Sequence, residues 1–150
     1  QDELIVPLGA LSIMDCIIDD EFRSIIDKYL KKGAKLIALF DCCHSGSILD
    51  LKYTYGQSDQ NVESTNGDVF MISGCADNQE SMDTVGMFNG KALPSGAMTF
   101  AFLNTIKPNA GQSIESLIQD MNRFLKNNGY TQLPKLCYGK QVDVKQVSLL

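Results

Sequence analysis

The sequence has a single histidine, His44, and no cluster of lysine and arginine. Thirteen basic against eighteen acidic side chains leave a formal charge of −5, so a basic stripe able to track a phosphate backbone is missing and nucleic acid is not an expected partner. No apolar run reaches the roughly 20 residues of a membrane span, and no secretory leader precedes the first apolar stretch. No membrane partner is therefore expected. The five cysteines are an odd number, two of them adjacent. They make a poor disulfide framework and point to a reducing, cytoplasmic setting. Spacings of the C-x-x-C or H-x-x-x-H kind are missing too, which argues against zinc at Cys42, Cys43 and His44. No internal repeat is visible. Because the chain opens on Gln1 and runs straight into Leu4-Ile5-Val6, it reads as a piece of a longer protein.

What is present is ordinary for a globular domain: 44% apolar and 21% charged residues over 150 positions, enough for one real core. Strand and helix signals alternate, which predicts an α/β domain. A short strand is expected at Leu4 to Val6. A helix begins at Asp19-Asp20-Glu21, carries Phe22, Ile25, Ile26 and Leu30 at helical spacing, and stops at Gly33. The run Lys35 to Phe40 is expected as a strand buried on both faces of a parallel sheet. Residues 57–67 are polar and read as a flexible linker. Beyond them come a strand from Asp68 to Ile72, a loop rich in Asp, Asn and Gly, a helix near Ser95 to Ile106 and another from Ser113 to about Lys126. A short strand around Leu133 to Cys137 is placed at a sheet edge by Pro134.

The chemistry concentrates at Asp41-Cys42-Cys43-His44-Ser45-Gly46, directly after the Lys35–Phe40 strand. The carboxyl end of a strand in an open α/β sheet is where ligand sites form. Side chains alternate along a strand, so Asp41 and Cys43 are expected on one face, roughly 7 Å apart, and Cys42 on the other. Cys42 reads as a small hydrophobe. The Ser45-Gly46 turn offers backbone N–H groups to a developing oxyanion. A thiol needs a base, and His44, as the immediate neighbour of Cys43, points away from it. The base must come from elsewhere, and His44 is read as structural or pocket-lining.

These residues resemble the nucleophile segment of the metacaspases, a family of caspase-like cysteine peptidases. The likeness runs on through Ile48-Leu49-Asp50-Leu51 and Tyr53. It extends back to Asp2-Glu3-Leu4-Ile5-Val6-Pro7 and Ile17-Ile18-Asp19-Asp20-Glu21. Further on it includes Ser73-Gly74-Cys75-Ala76-Asp77-Asn78-Gln79, Gly96-Ala97-Met98-Thr99 and Gly129-Tyr130-Thr131-Gln132-Leu133-Pro134. The resemblance implies a caspase-like, mostly parallel sheet flanked by helices, with the family's first strands missing. It implies Cys43 as nucleophile and Asp41 as the acid of the pocket that takes an Arg or Lys side chain before the scissile bond. In a rival reading Asp41 orients an imidazole.

The family's catalytic His lies in a Gly-rich turn upstream of the matched region, so an upstream segment or a second chain is the implied partner. The family is also often calcium-activated, which implies Ca²⁺ at Asp2, Asp19, Asp20 and Asp50. Asp19-Asp20 equally suits a helix start. Gly9 stands where the family usually has an acid, and one residue is inserted between Pro7 and Asp19. Two functions follow as expectations: a calcium-activated endopeptidase cleaving after Arg or Lys, or an inactive caspase-like regulator that binds a partner peptidase.

Overall fold

The computed structural model describes residues 3–42, 47–55, 57–74 and 96–149, together with the backbone of 83–88 and 91–95. Its centre is a five-stranded sheet. In chain order the strands are β1 (Leu4–Ile5), β2 (Ile17–Ile18), β3 (Lys35–Phe40), β4 (Tyr53–Thr54), β5 (Gln57–Ser58), β6 (Asp68–Ser73), β7 (Asp83–Phe88), β8 (Lys91–Gly96) and β9 (Lys135–Tyr138). The helices are α1 (Asp19–Tyr29), α2 (Ala97–Ile106) and α3 (Ile114–Asn127). The main sheet runs β3-β6-β9-β4-β5, while β1-β2 and β7-β8 form separate two-stranded ladders.

The α/β class is as the sequence implies, but the strand directions are not. Among the described residues only β3 and β6 run parallel, in the register Lys35↔Asp68 to Phe40↔Ser73. The pairings β6–β9, β9–β4 and β4–β5 are antiparallel. The physical reason is the connection: β3 reaches β6 by a long crossover, whereas a tight return between β4 and β5 permits only antiparallel pairing.

Period-two alternation sorts the central strands into two cores. Val69 and Met71 of β6, with Cys137 of β9, join Ile26, Ile48, Leu49 and Leu51 on one side, where Phe22 of α1 and Leu30 just after it also pack. Phe70 and Ile72, with Leu136 and Tyr138, face the other side and meet Met98, Ala101, Leu117, Met121 and Leu125 of α2 and α3. The sheet is thus sandwiched between α1 and the α2–α3 pair.

Helix limits follow local chemistry. Ser113 Oγ accepts the N–H of Ser116 and caps α3 at 3.2 Å, and Gly129 adopts φ +81 beyond its end, the left-handed turn that glycine tolerates. Helix α1 instead ends at Tyr29 with Leu30 extended (φ −78, ψ 107), so Gly33, at φ +86, is not the stop expected of it and lies in the turn closed by the Ala34 N–H on Lys31 O.

Four further expectations need correction. Among the described residues β3 pairs only with β6, so it is half-exposed instead of buried on both faces, and Leu39 retains 39% of its surface. The strand β9 lies inside the sheet, because Pro134 precedes its first residue and removes no ladder bond. The loop expected after Ile72 contains the β7–β8 ladder. Residues 57–67, read as a linker, carry β5, and Thr65 is buried with its N–H bonded to Gly139 O at 3.0 Å.

Candidate functional site

The carboxyl ends of β3 and β6 lie side by side, tied by Gly74 N–H donating to Phe40 O at 2.9 Å. Asp41 follows directly, and its carboxylate turns toward the start of α2, where the Thr99 N–H donates to Oδ2 at 2.8 Å. The first N–H groups of a helix have no partner within it, and the N-cap residue Gly96 has no side chain to offer them. Asp41, partly buried, supplies the acceptor from another element, where the helix dipole also favours its charge.

Cys43, His44, Ser45 and Gly46 lie outside the described residues, as do the expected thiol–carboxylate distance and the oxyanion donors. Both flanks of that segment are fixed. Phe40 packs against Phe22, with ring centres 6.3 Å apart, and Ile48 and Leu49 are each only 2% exposed in the α1-side core. Cys42 is exposed, which corrects its reading as a buried hydrophobe: β3 ends at Phe40, so alternation no longer governs two residues later.

The second group of residues lies at the start of α1. The β1–β2 register pairs Leu4 with Ile18, and Asp19 thereby reaches Glu3. The Glu3 N–H donates to Asp19 Oδ2 and the Asp20 N–H to Asp19 Oδ1, both at 2.9 Å. Ser47 Oγ in turn donates to Glu3 Oε1 at 2.5 Å, which links this corner to the residues just after Gly46. Asp50 closes the turn, with its N–H on Ser47 O at 2.7 Å and a left-handed φ of 43. Carboxylate oxygens of Asp19, Asp20 and Asp50 all lie within 4.8 Å of one another. Asp2 lies outside the described residues.

The electrostatics of the group are unequal. Burial pushes the Asp50 carboxyl above its ordinary value, the charges of Asp19 and Asp20 add to the rise, and Arg23 opposes it. Burial also acts upward on Asp19, but the N–H groups of Glu3 and Asp20 outweigh it and hold that carboxyl below its ordinary value. Arg23 stands behind the group and joins three segments, donating to Asp27 Oδ2 at 2.8 Å and to the carbonyls of Asp50 and Glu63, each at 2.6 Å.

The donor set fits a hard cation. Opposite oxygens around one Ca²⁺ are at most about 5 Å apart, given bonds of roughly 2.3–2.6 Å, and the three carboxylates meet that spacing. The Asp19 oxygens accept the N–H groups of Glu3 and Asp20, and an ionised carboxylate has about four acceptor positions in all. The helix-start reading and the ligand reading of Asp19 are therefore compatible.

Reading the sequence by residue missed two connections. The Glu3–Ser47 bond joins positions 44 residues apart, and no local pattern announces it. Gly96 and Thr99 entered only through the resemblance, although a glycine directly before an apolar helix that lacks a side-chain cap invites the question of what approaches it.

A carboxylate anchored at the carboxyl end of a parallel strand pair, two residues before Cys43 in sequence, with helices on both sheet faces, fits the class of caspase-like α/β domains. The caspase-domain family model matches residues 1–143, and the chain belongs to that family. Metacaspase-2 of Trypanosoma brucei brucei is 34% identical over 97% of this chain and 46% of its own length. Metacaspase-1 of Arabidopsis thaliana is 34% identical over 85% of this chain and 38% of its own. A further relative, inactive metacaspase-4 of Trypanosoma brucei brucei, is 31% identical over 97% of this chain and 45% of its own length. The chain thus spans about half the length, or less, of these relatives. A crystal structure of a protein from Geobacter sulfurreducens superposes with a TM-score of 0.59 at 21% identity, covering 89% of this chain and 56% of that one. That likeness supports the fold. These relatives are metacaspases, and no helix among the described residues is long and apolar enough to cross a membrane.

Proposed function

We propose that the chain carries the nucleophile of a cysteine endopeptidase that cleaves after Arg or Lys and is activated by Ca²⁺, with the catalytic His supplied by an upstream segment or a second chain. The observation that carries the reading is the seat of Asp41: a fixed carboxylate two residues before Cys43, at the carboxyl end of β3. A carboxylate there complements a guanidinium or ammonium group through charge-assisted hydrogen bonds. The Cys43 thiolate attacks the carbonyl carbon, the C–N bond breaks, and the imidazolium gives its proton to the departing amine. Water then hydrolyses the thioester. Asp19, Asp20 and Asp50 would hold the cation, whose positive charge offsets their mutual repulsion when it is bound.

The test uses the complete protein, upstream His included. Cys43→Ala should abolish hydrolysis of an Arg peptide, and Cys42→Ala should leave it within a few-fold of the unmodified enzyme. Equal loss in both variants would sink the assignment. Chelation should suppress activity and added Ca²⁺ restore it; indifference to both would remove the cation from the scheme.

A second reading, an inactive regulator that binds a partner peptidase, is favoured by the 31% identity to a relative described as inactive. A thiol-reactive peptide ending in Arg separates the two. Selective modification of Cys43 supports the peptidase, and no modification supports the regulator.

A further inference from the structure

Gly96 packs against the Asp41 carboxylate with no room to spare. A Cβ built on Gly96 would stand 2.1 Å from Asp41 Cγ and Oδ2 and 2.3 Å from Oδ1. The backbone does not explain the glycine, since φ −67 and ψ 151 at this position are open to any residue. Helix capping does not explain it either, because Ser, Thr, Asp or Asn would cap α2 at least as well. What remains is the close approach of the carboxylate, which only a missing side chain allows.

We infer that Gly96 and the Thr99 N–H are positioning residues that set the orientation of the Asp41 carboxylate and so determine selection for a basic side chain before the scissile bond. The inference rests on the reading of Asp41 as the pocket acid. The strand fixes the Asp41 backbone, and two side-chain torsions remain. Gly96 forms a wall against which the carboxylate lies flat, and the Thr99 N–H, 2.8 Å from Oδ2, fixes its rotation about the last bond. Charge recognition at a guanidinium depends on that plane, because the two N–H groups of the fork must meet the carboxylate in its own plane. A methyl group at position 96 would expel the carboxylate. The atoms that must yield are the end of a short side chain and not backbone, so the fold can absorb the change while the pocket cannot.

The test compares peptides with arginine or its neutral isostere citrulline before the scissile bond, in the complete protein. Gly96→Ala should lower kcat/KM for the arginine peptide by roughly 100-fold, the scale of a misplacement of about 1 Å, mainly through KM. Citrulline turnover should fall far less, so that the ratio of kcat/KM for arginine over citrulline collapses. Asp41→Asn should show the same pattern, and joining the two substitutions should add nothing further. Should Gly96→Ala fail to melt cooperatively, Thr99→Pro takes its place, since it removes the donor within the first helical turn.

If Asp41→Asn loses discrimination and the Gly96 or Thr99 variant keeps it, the positioning role is overturned while the pocket reading stands. If Asp41→Asn keeps discrimination, the pocket reading fails and the positioning role with it. An equal fall on both peptides in the Gly96 variant would also overturn the role, as it would mark general damage.

Discussion

Three carboxylates drawn together make Asp50 the residue whose titration is most informative. Its carboxyl lies above the ordinary 3.8 because burial and the charges of Asp19 and Asp20 disfavour ionisation. A raised acid contributes stability that is fully present below the unfolded value and lost as pH rises through the folded one. At neutral pH, without a cation, Asp50 is therefore a liability. Asp50→Asn should raise the melting temperature of the cation-free protein at pH 7 and abolish any rise on adding Ca²⁺. A melting temperature that still climbs with Ca²⁺ in this variant would remove Asp50 from the ligand set. Asp19 has the opposite sign. Its lowered carboxyl contributes stability above the unfolded value, and that stability is lost as pH falls through the folded one. Acidification should thus weaken the β1–α1 corner while it relieves Asp50.

For the helices the decisive interactions are local, and this is why they could be read from sequence. The α3 stripe of Ile114, Leu117, Met121 and Leu125 is buried, and its Ser113 cap and Gly129 stop are each written in one residue. Ser113→Ala should cost about 1 kcal/mol in a urea titration, and Leu125→Ala about 2–5 kcal/mol, a large part of a typical domain's stability. Strand neighbours were less legible. Nothing near Leu136 says that it will face Ile72 of β6, because pairing is decided by surfaces far away in sequence. Pro134 suggests an edge only for a strand that begins before it, and β9 begins at Lys135. The β7–β8 ladder does carry a local signal: Asn89-Gly90 between two runs is a favoured hairpin dipeptide. At the candidate site the order of residues gave the strand end and the acid. The Thr99 N–H that holds Asp41 belongs to α2, nearly sixty positions on, and no periodicity reaches that far.

At the scale of the whole molecule, β3 stands at one margin of the sheet among the described residues, with Leu39 exposed. An unpaired apolar edge invites pairing with another strand. The 150-residue chain should therefore associate in sedimentation experiments as its concentration rises, and Leu39→Lys should shift it toward monomer. A monodisperse chain at every concentration would show that the edge is already covered. The same edge is adjacent to the candidate site, so a strand that brings a histidine to its carboxyl end would complete both the sheet and the catalytic pair.

The position of β9 between β6 and β4 has a consequence for how the chain is born. Of the five strands in the main sheet it is the last to leave the ribosome, yet it is the one that joins the β3–β6 pair to the β4–β5 ladder. Until Lys135–Tyr138 emerges, the two halves have no common seam, and the faces of Val69 to Ile72 await a neighbour. A released chain truncated before residue 135 should be digested readily by added protease, and one extending through residue 149 should resist. Ordering the seam last would leave the two halves of the sheet unjoined while synthesis is still under way.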